Sequence, residues 1–366
     1  MTQKRCKIAV IGAGPGGLSA AIRLAELGVE VIVLDEKPAA GGQLFKQIHK
    51  FFGSEHHMAG VRGFEIGNLL LDRCRELGVP ILLDTPVWGI FPGFTIAAES
   101  EGETLTVEAE AVIAATGAGE NALAFPGWTL PGVMGAGAAQ TLVNFYRVRP
   151  GRRALVVGAG NVGLIVSYQL LQAGIDVAAV VEGQEQVGGY MVHASKIRRM
   201  SVPLLTRHTV VSAAGTGRVE SCRVAQVDAF FAPQEGTEKE YQVDMICVAV
   251  GLSPAVELLR AMEVPMCYVG ELGGHLPLHN DALMTKREGI FVAGDISGIE
   301  EASSAMEEGR LAAVSAAHYC GCVHDVHAEK EKIQIRKSLA ALRSGPFGDV
   351  IMKKKQTIFG RFRNAC

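Results

Sequence analysis

Gly12, Gly14 and Gly17 follow the short run Lys7–Ile11, and Asp35 with Glu36 closes the next apolar run, Val31–Leu34. Glycines at that spacing have a chemical use. The first permits a tight turn, the second lets the backbone approach a pyrophosphate, and the third lets helix pack on strand. The acid then stands where a ribose hydroxyl would be held. The same pattern recurs at Gly158, Gly160 and Gly163 behind Ala154–Val157, with Glu182 ending Val177–Val181. A lone glycine triplet is weak, but here strand, turn, helix, strand and acid arrive in order twice. Two dinucleotide sites are therefore expected in one chain.

Three further stretches carry polar groups to strand ends. Ala39–Phe45 contains Gly41, Gly42 and Gln43; Ala111–Ala118 ends in Thr116-Gly117; Gly289–Gly298 ends in Gly294-Asp295. Strand ends gather at the ligand edge of a doubly wound sheet, so an acid there can bind a polyol hydroxyl. This set resembles the two-dinucleotide-binding flavoprotein superfamily that includes thioredoxin reductase. The resemblance implies an α/β fold of two Rossmann-like three-layer domains, the NAD domain inserted in the FAD domain. It implies that the first glycine turn holds FAD, that Asp295 holds the ribityl chain, and that Gly41, Gly42 and Gln43 lie near the flavin with Thr116 and Gly117. Val87, in Thr85–Phe91, matches a residue whose backbone contacts adenine. The second turn would bind the nicotinamide nucleotide. Glu182 would accept hydrogen bonds from both ribose hydroxyls and repel a 2′-phosphate, and no Arg pair follows it, so NADH is expected over NADPH.

Ala124–Phe145, with its Pro-Gly-Trp-Thr-Leu-Pro-Gly-Val core, is similar to the FAD-containing subunits of multi-subunit amine and imino-acid dehydrogenases of the opine oxidase, dye-linked proline dehydrogenase, hydrogen cyanide synthase and sarcosine oxidase kind. That likeness implies two partners: a second flavoprotein dehydrogenase and a small iron–sulfur protein of the same complex. Many of these relatives carry Pro-Leu after the second glycine. Asn161, Val162 and Gly163 here are closer to a working nucleotide turn. Two other readings stay open: a stand-alone NADH oxidase or reductase for a small acceptor, and a flavin-carrying scaffold with an inactive NAD site.

The elements that must position these residues divide the chain. Residues 1–119 and 253–324 are expected to form a discontinuous FAD domain around an NAD domain at 120–252, followed by a basic extension at 325–366. That tail holds nine Lys or Arg from position 332 on, interspersed with Ile335, Leu339, Ile351, Ile358, Phe359 and Phe362. The mixture suits docking on another protein or wrapping over the chain's own surface rather than disorder. A net charge of −3 gives no reason to expect a nucleic-acid partner. No apolar run reaches the length of a membrane span, and eight scattered cysteines suit a reducing cytoplasm.

No Cys-x-x-Cys occurs, which argues against an internal dithiol relay. Cys320 and Cys322, with His324, are spaced too tightly for a zinc knuckle and read as thiols at a helix end. His56 and His57 read as part of a loop or lid near the flavin, with an acid–base role or a covalent flavin link as the sharper alternative. Because the cofactors themselves carry hydride chemistry, no catalytic side chain and no metal ligand is assigned.

Overall fold

A computed structural model describes residues 2–51 and 55–364; the side chains of Glu55, Pro346 and Phe347 lie outside that description, as does Cys366. The chain divides into two compact units, Met1–Gly119 with Ser253–Cys366, and Glu120–Leu252.

In the first unit five parallel strands run in the order Ile290–Val292, Ala111–Ala114, Ile8–Ile11, Val31–Leu34, Ile81–Leu82. Every residue of the first four is buried, which is why they read as unbroken apolar runs: both faces of the sheet are covered. Helix Pro15–Glu26 begins directly after the first glycine turn, with proline in its first turn where no N–H partner is needed. Helix Ala302–Tyr319 crosses it at glycine. A Cβ on Gly309 would lie 2.0 Å from the Gly16 carbonyl oxygen, so only glycine lets the two backbones meet. A smaller sheet takes Thr2–Arg5, Glu103–Glu108, Thr95–Ser100 and Val87–Phe91. Its central hairpin turns at Glu101 and Gly102, both at positive φ as a two-residue type I′ turn requires.

The second unit repeats the plan. Parallel strands run in the order Val133–Gly135, Met245–Val248, Arg153–Val157, Asp176–Glu182, Leu204–Thr206. Alternation splits each central strand between two cores. Ala154, Val156, Met245 and Cys247 pack with helix residues such as Leu164 and Ile197, while Leu155, Val157, Ile246 and Val248 pack with Val210 and Val224 of an antiparallel three-stranded sheet. The architecture is thus two parallel-sheet α/β folds, the second inserted in the first.

Residues 325–366 fall within the first unit. Helix Asp325–Leu342 sends Ala328, Ile335 and Leu339 into the main core. Helix Gly345–Asn364 buries Ile358 against Leu272, Leu276 and Leu278 beside the hairpin Met266–Val269 and Gly274–Pro277.

Candidate dinucleotide sites

The first glycine turn is locked from behind and open in front. Gly12 sits at φ +105, and a Cβ there would lie 2.3 Å from the Ala115 carbonyl oxygen. Gly17 is pressed on the Gly12 carbonyl, where a Cβ would come within 1.8 Å. Gly14 is different: a Cβ there meets nothing within 4 Å. Gly14 is also the N-cap of helix Pro15–Glu26 and supplies no capping side chain, so N–H groups at that helix end face an open cradle. Asp35, half-buried, accepts from the Ala13 N–H at 2.5 Å and from the Lys37 N–H at 2.8 Å. Glu36 is exposed and pairs with Lys37 at 2.6 Å.

The second turn reproduces this arrangement. Gly158 is again at φ +105 with a Cβ position 2.2 Å from the Ala249 carbonyl, Gly163 would meet the Gly158 carbonyl at 2.0 Å, and Gly160 faces open space. Glu182 accepts from the Ala159 N–H at 2.8 Å and from the Gln184 N–H at 2.9 Å. In both units the chain then returns over the turn on glycine. Gly41 N–H donates to the Ala13 carbonyl at 2.7 Å, and Gly189 N–H donates to the Ala159 carbonyl at 2.9 Å. Gly42 packs on Gly14, where a Cβ would lie 2.9 Å from its Cα. Asn161, at the start of helix Asn161–Gln172, accepts from the Tyr190 N–H at 2.8 Å and so pins the returning segment. That asparagine occupies the place proline takes in the first turn.

Other expected residues reach the same edge of the first sheet. Ala293 N–H donates to the Ala114 carbonyl, which brings the Gly294-Asp295 strand end beside Thr116-Gly117. The Thr116 hydroxyl is already given to the Ala255 carbonyl at 2.7 Å, so its role there is to hold backbone. Gln43 is exposed beside Gly41 and Gly42. Val87 is half-buried on the smaller sheet, two residues beyond Thr85, whose N–H donates to the Asp35 carbonyl. Burial pushes the Asp295 carboxyl up to about 6; the Glu308 and Glu300 carboxylates add to this, against a backbone hydrogen bond from Glu300 and the Lys355 ammonium.

Sequence reasoning missed what stands behind Asp295. Glu308 accepts from the Gly294 N–H at 3.0 Å and from the Ser297 hydroxyl at 2.7 Å. Its other oxygen takes Lys355 Nζ at 2.8 Å and the Arg343 guanidinium. Arg343 also grips both oxygens of Glu300. Lys355 is 0% exposed, Glu308 1% and Arg343 6%. Burial alone would raise the Glu308 carboxyl, but Lys355 and Arg343 hold it well below the carboxylate range. The one signal in the sequence was the acid pair Glu307-Glu308 in a helix whose other residues are mostly small and apolar.

His57 is buried and His56 exposed, their Nε2 atoms 3.6 and 3.4 Å from Glu307 Oε1, which also receives Arg310 at 3.0 Å. The distances from histidine are long for hydrogen bonds, and the group reads as the anchor of the loop on helix Ala302–Tyr319. Cys320 follows that helix, its thiol pushed up to about 11 by burial and so unsuited to redox attack.

Residues 6–309 match the family of pyridine nucleotide-disulphide oxidoreductases. An opine oxidase subunit of Agrobacterium tumefaciens is 29% identical over 336 residues, 84% of this chain and 64% of that protein. Hydrogen cyanide synthase subunit HcnB of Pseudomonas aeruginosa is 28% identical over 327 residues, with 84% and 69% covered. The alpha subunit of sarcosine oxidase from Rhizobium meliloti is 28% identical over 327 residues, and the chain spans only 29% of it. The chain therefore spans less than two thirds of the opine oxidase protein and under a third of the sarcosine oxidase one. Among solved structures, thioredoxin reductase of T. acidophilum superposes with a TM-score of 0.72 at 22% identity, over 88% of this chain and 100% of that one. L-proline dehydrogenase from P. horikoshii gives 0.71 at 21% identity, over 91% and 59%. With a match that runs through both glycine turns and the Gly-Asp strand end, the chain belongs to the pyridine nucleotide-disulphide oxidoreductase family.

Proposed function

We propose that this chain is an FAD-binding, NADH-using flavoprotein that serves as the electron-transfer subunit of an amine- or imino-acid-oxidising complex. The observation that carries the reading is the near-identity of the two turns, each with an open glycine, an uncapped helix end and an acid holding the loop. The first turn fits FAD because Gly14 leaves room for a pyrophosphate against N–H donors, and because the half-buried Asp295 stands at the adjoining strand end as acceptor for a polyol. Bound FAD supplies the hydride-accepting chemistry. The chain's own groups bind and orient. Gly14 and Gly160 admit phosphates, Asp35 and Glu182 keep their loops closed while offering remaining lone pairs to ribose hydroxyls, and Asp295 orients the ribityl chain.

Preference for NADH rests on Glu182, whose charge opposes a 2′-phosphate. Arg207, whose N–H donates to the Gln184 carbonyl, is ion-paired with Glu185 and so is committed elsewhere. The openness of Gly160 favours a working second site over an inactive one. A second flavoprotein dehydrogenase and a small iron–sulfur protein as partners are supported by relatives that are named as subunits of opine oxidase, hydrogen cyanide synthase and sarcosine oxidase. Anaerobic titration tests the core of this: purified protein should be yellow, and NADH should bleach its flavin at far lower concentration than NADPH. Colourless protein that takes up no FAD, or flavin that NADH cannot reduce, would sink it. Steady turnover of the isolated chain with oxygen or a quinone would instead identify a self-sufficient NADH oxidase.

A further inference from the structure

Gly294–Ser297 is a single 3-10 turn, and both of its ends are tied to one side chain: the Gly294 N–H and the Ser297 hydroxyl donate to Glu308 Oε2. Asp295 lies between those ties. A carboxylate makes such a bridge best as an anion, and a buried anion needs cations at hydrogen-bond distance. Lys355 and Arg343 supply them, Lys355 from the last helix and Arg343 from the C-cap of the helix before it. Lys355 Nζ also donates to the Ser297 carbonyl at 3.1 Å and to its Oγ at 2.7 Å, so it holds the turn directly as well as through Glu308.

We propose that the C-terminal helices are part of the flavin site, with Lys355 and Arg343 as positioning residues that balance the Glu300 and Glu308 carboxylates behind the turn presenting Asp295. This rests on the FAD reading above. The charges facing the turn balance: Glu300 and Glu308 against Lys355 and Arg343, with Asp295 at the edge. His279, fully buried on the same side, stays neutral, because burial and then Lys355 lower its affinity for a proton. Removing Lys355 alone leaves one uncompensated negative charge beside Asp295. Asp295 would then keep its proton to higher pH, and a protonated carboxyl is the poorer acceptor for a ribityl hydroxyl.

The test is FAD binding to the full-length apoprotein, followed by flavin fluorescence between pH 5.5 and 9 on the order of half-unit steps. In the wild type, affinity should fall as pH drops towards the Asp295 titration. In Lys355→Met that limb should move up by about one pH unit, weakening binding about fivefold near pH 6 and converging on the wild type by about pH 9. Lys355→Arg should keep the wild-type limb. The double variant Lys355→Met/Glu308→Gln removes one charge of each sign and should restore it, which a purely structural lesion would not allow. A folded Lys355→Met with an unshifted limb overturns the proposal, as does a double variant that fails to recover, including when the single variant does not fold. Wild-type protein that binds no FAD would instead defeat the flavin reading itself.

Discussion

The glycines of each turn divide sterically into those the chain's own packing requires and those it leaves open. Gly160→Ala adds a methyl where no protein atom lies within 4 Å, at an extended φ of −71 that alanine adopts freely. The variant should unfold with the wild type and keep its FAD, yet lose NADH affinity by roughly tenfold or more, as a methyl in the phosphate path displaces N–H contacts. Unchanged NADH affinity by calorimetry would show that this cradle is not used. Gly163→Ala puts a methyl 2.0 Å from the Gly158 carbonyl oxygen and should cost roughly 1–3 kcal/mol of stability in urea unfolding, whether or not nucleotide is present. A third residue bears on specificity. Glu185→Ala frees the Arg207 guanidinium, and NADPH should then reduce the flavin more readily relative to NADH. A discrimination ratio that does not move would exclude Arg207 from the 2′ end of the nucleotide. The glycines and both acids were legible in the sequence because backbone sterics and i-to-strand spacing define them within a few turns. Glu36 was not separable from Asp35 on that basis: which of two adjacent acids faces the turn depends on where the strand leaves the sheet.

At the scale of elements, the C-terminal helix brings a buried histidine into play. His279 Nδ1 lies 2.7 Å from the Pro277 carbonyl and so carries the proton, its Nε2 has no hydrogen-bond partner among the described residues, and Phe359 packs edge-on against the ring. Burial, reinforced by Lys355, lowers its pKa from 6.5 to about 4. The unfolded chain therefore binds a proton that the folded chain refuses. Stability from this group is complete above about pH 6.5 and is lost as pH falls towards 4, by up to about 3 kcal/mol. His279→Asn keeps a donor for Pro277 and should flatten the urea midpoint across that interval; a midpoint that still falls equally would assign the acid sensitivity to other groups. The tail's composition indicated elements with an apolar side, but not their destination. Ile335, Leu339 and Ile358 are buried because their helices meet cores built from residues far away in the chain.

At the scale of the whole molecule, each unit carries its own sheet and its own turn, so each cofactor should stabilise its own part of the chain. A ligand at about a hundred times its Kd adds about 2.7 kcal/mol to the state that binds it. Hydrogen exchange should therefore slow under FAD within Met1–Gly119 and Ser253–Cys366, the C-terminal helices included, and under NADH within Glu120–Leu252. Protection by FAD that stops short of residues 325–364 would separate the tail from the site.

What the sequence determined by itself was local. Short apolar runs specified buried parallel strands, glycine spacing specified the turns, and the acids that follow are close enough in sequence to be fixed by the same βαβ unit. The tertiary structure decided which charges are buried together. Lys355 and Glu308 meet across 47 residues of sequence, and nothing in a run of three lysines marks the third as the one that goes inside. That choice depends on where two helices dock, because a charge can leave water only where opposite charges and hydrogen bonds already wait for it.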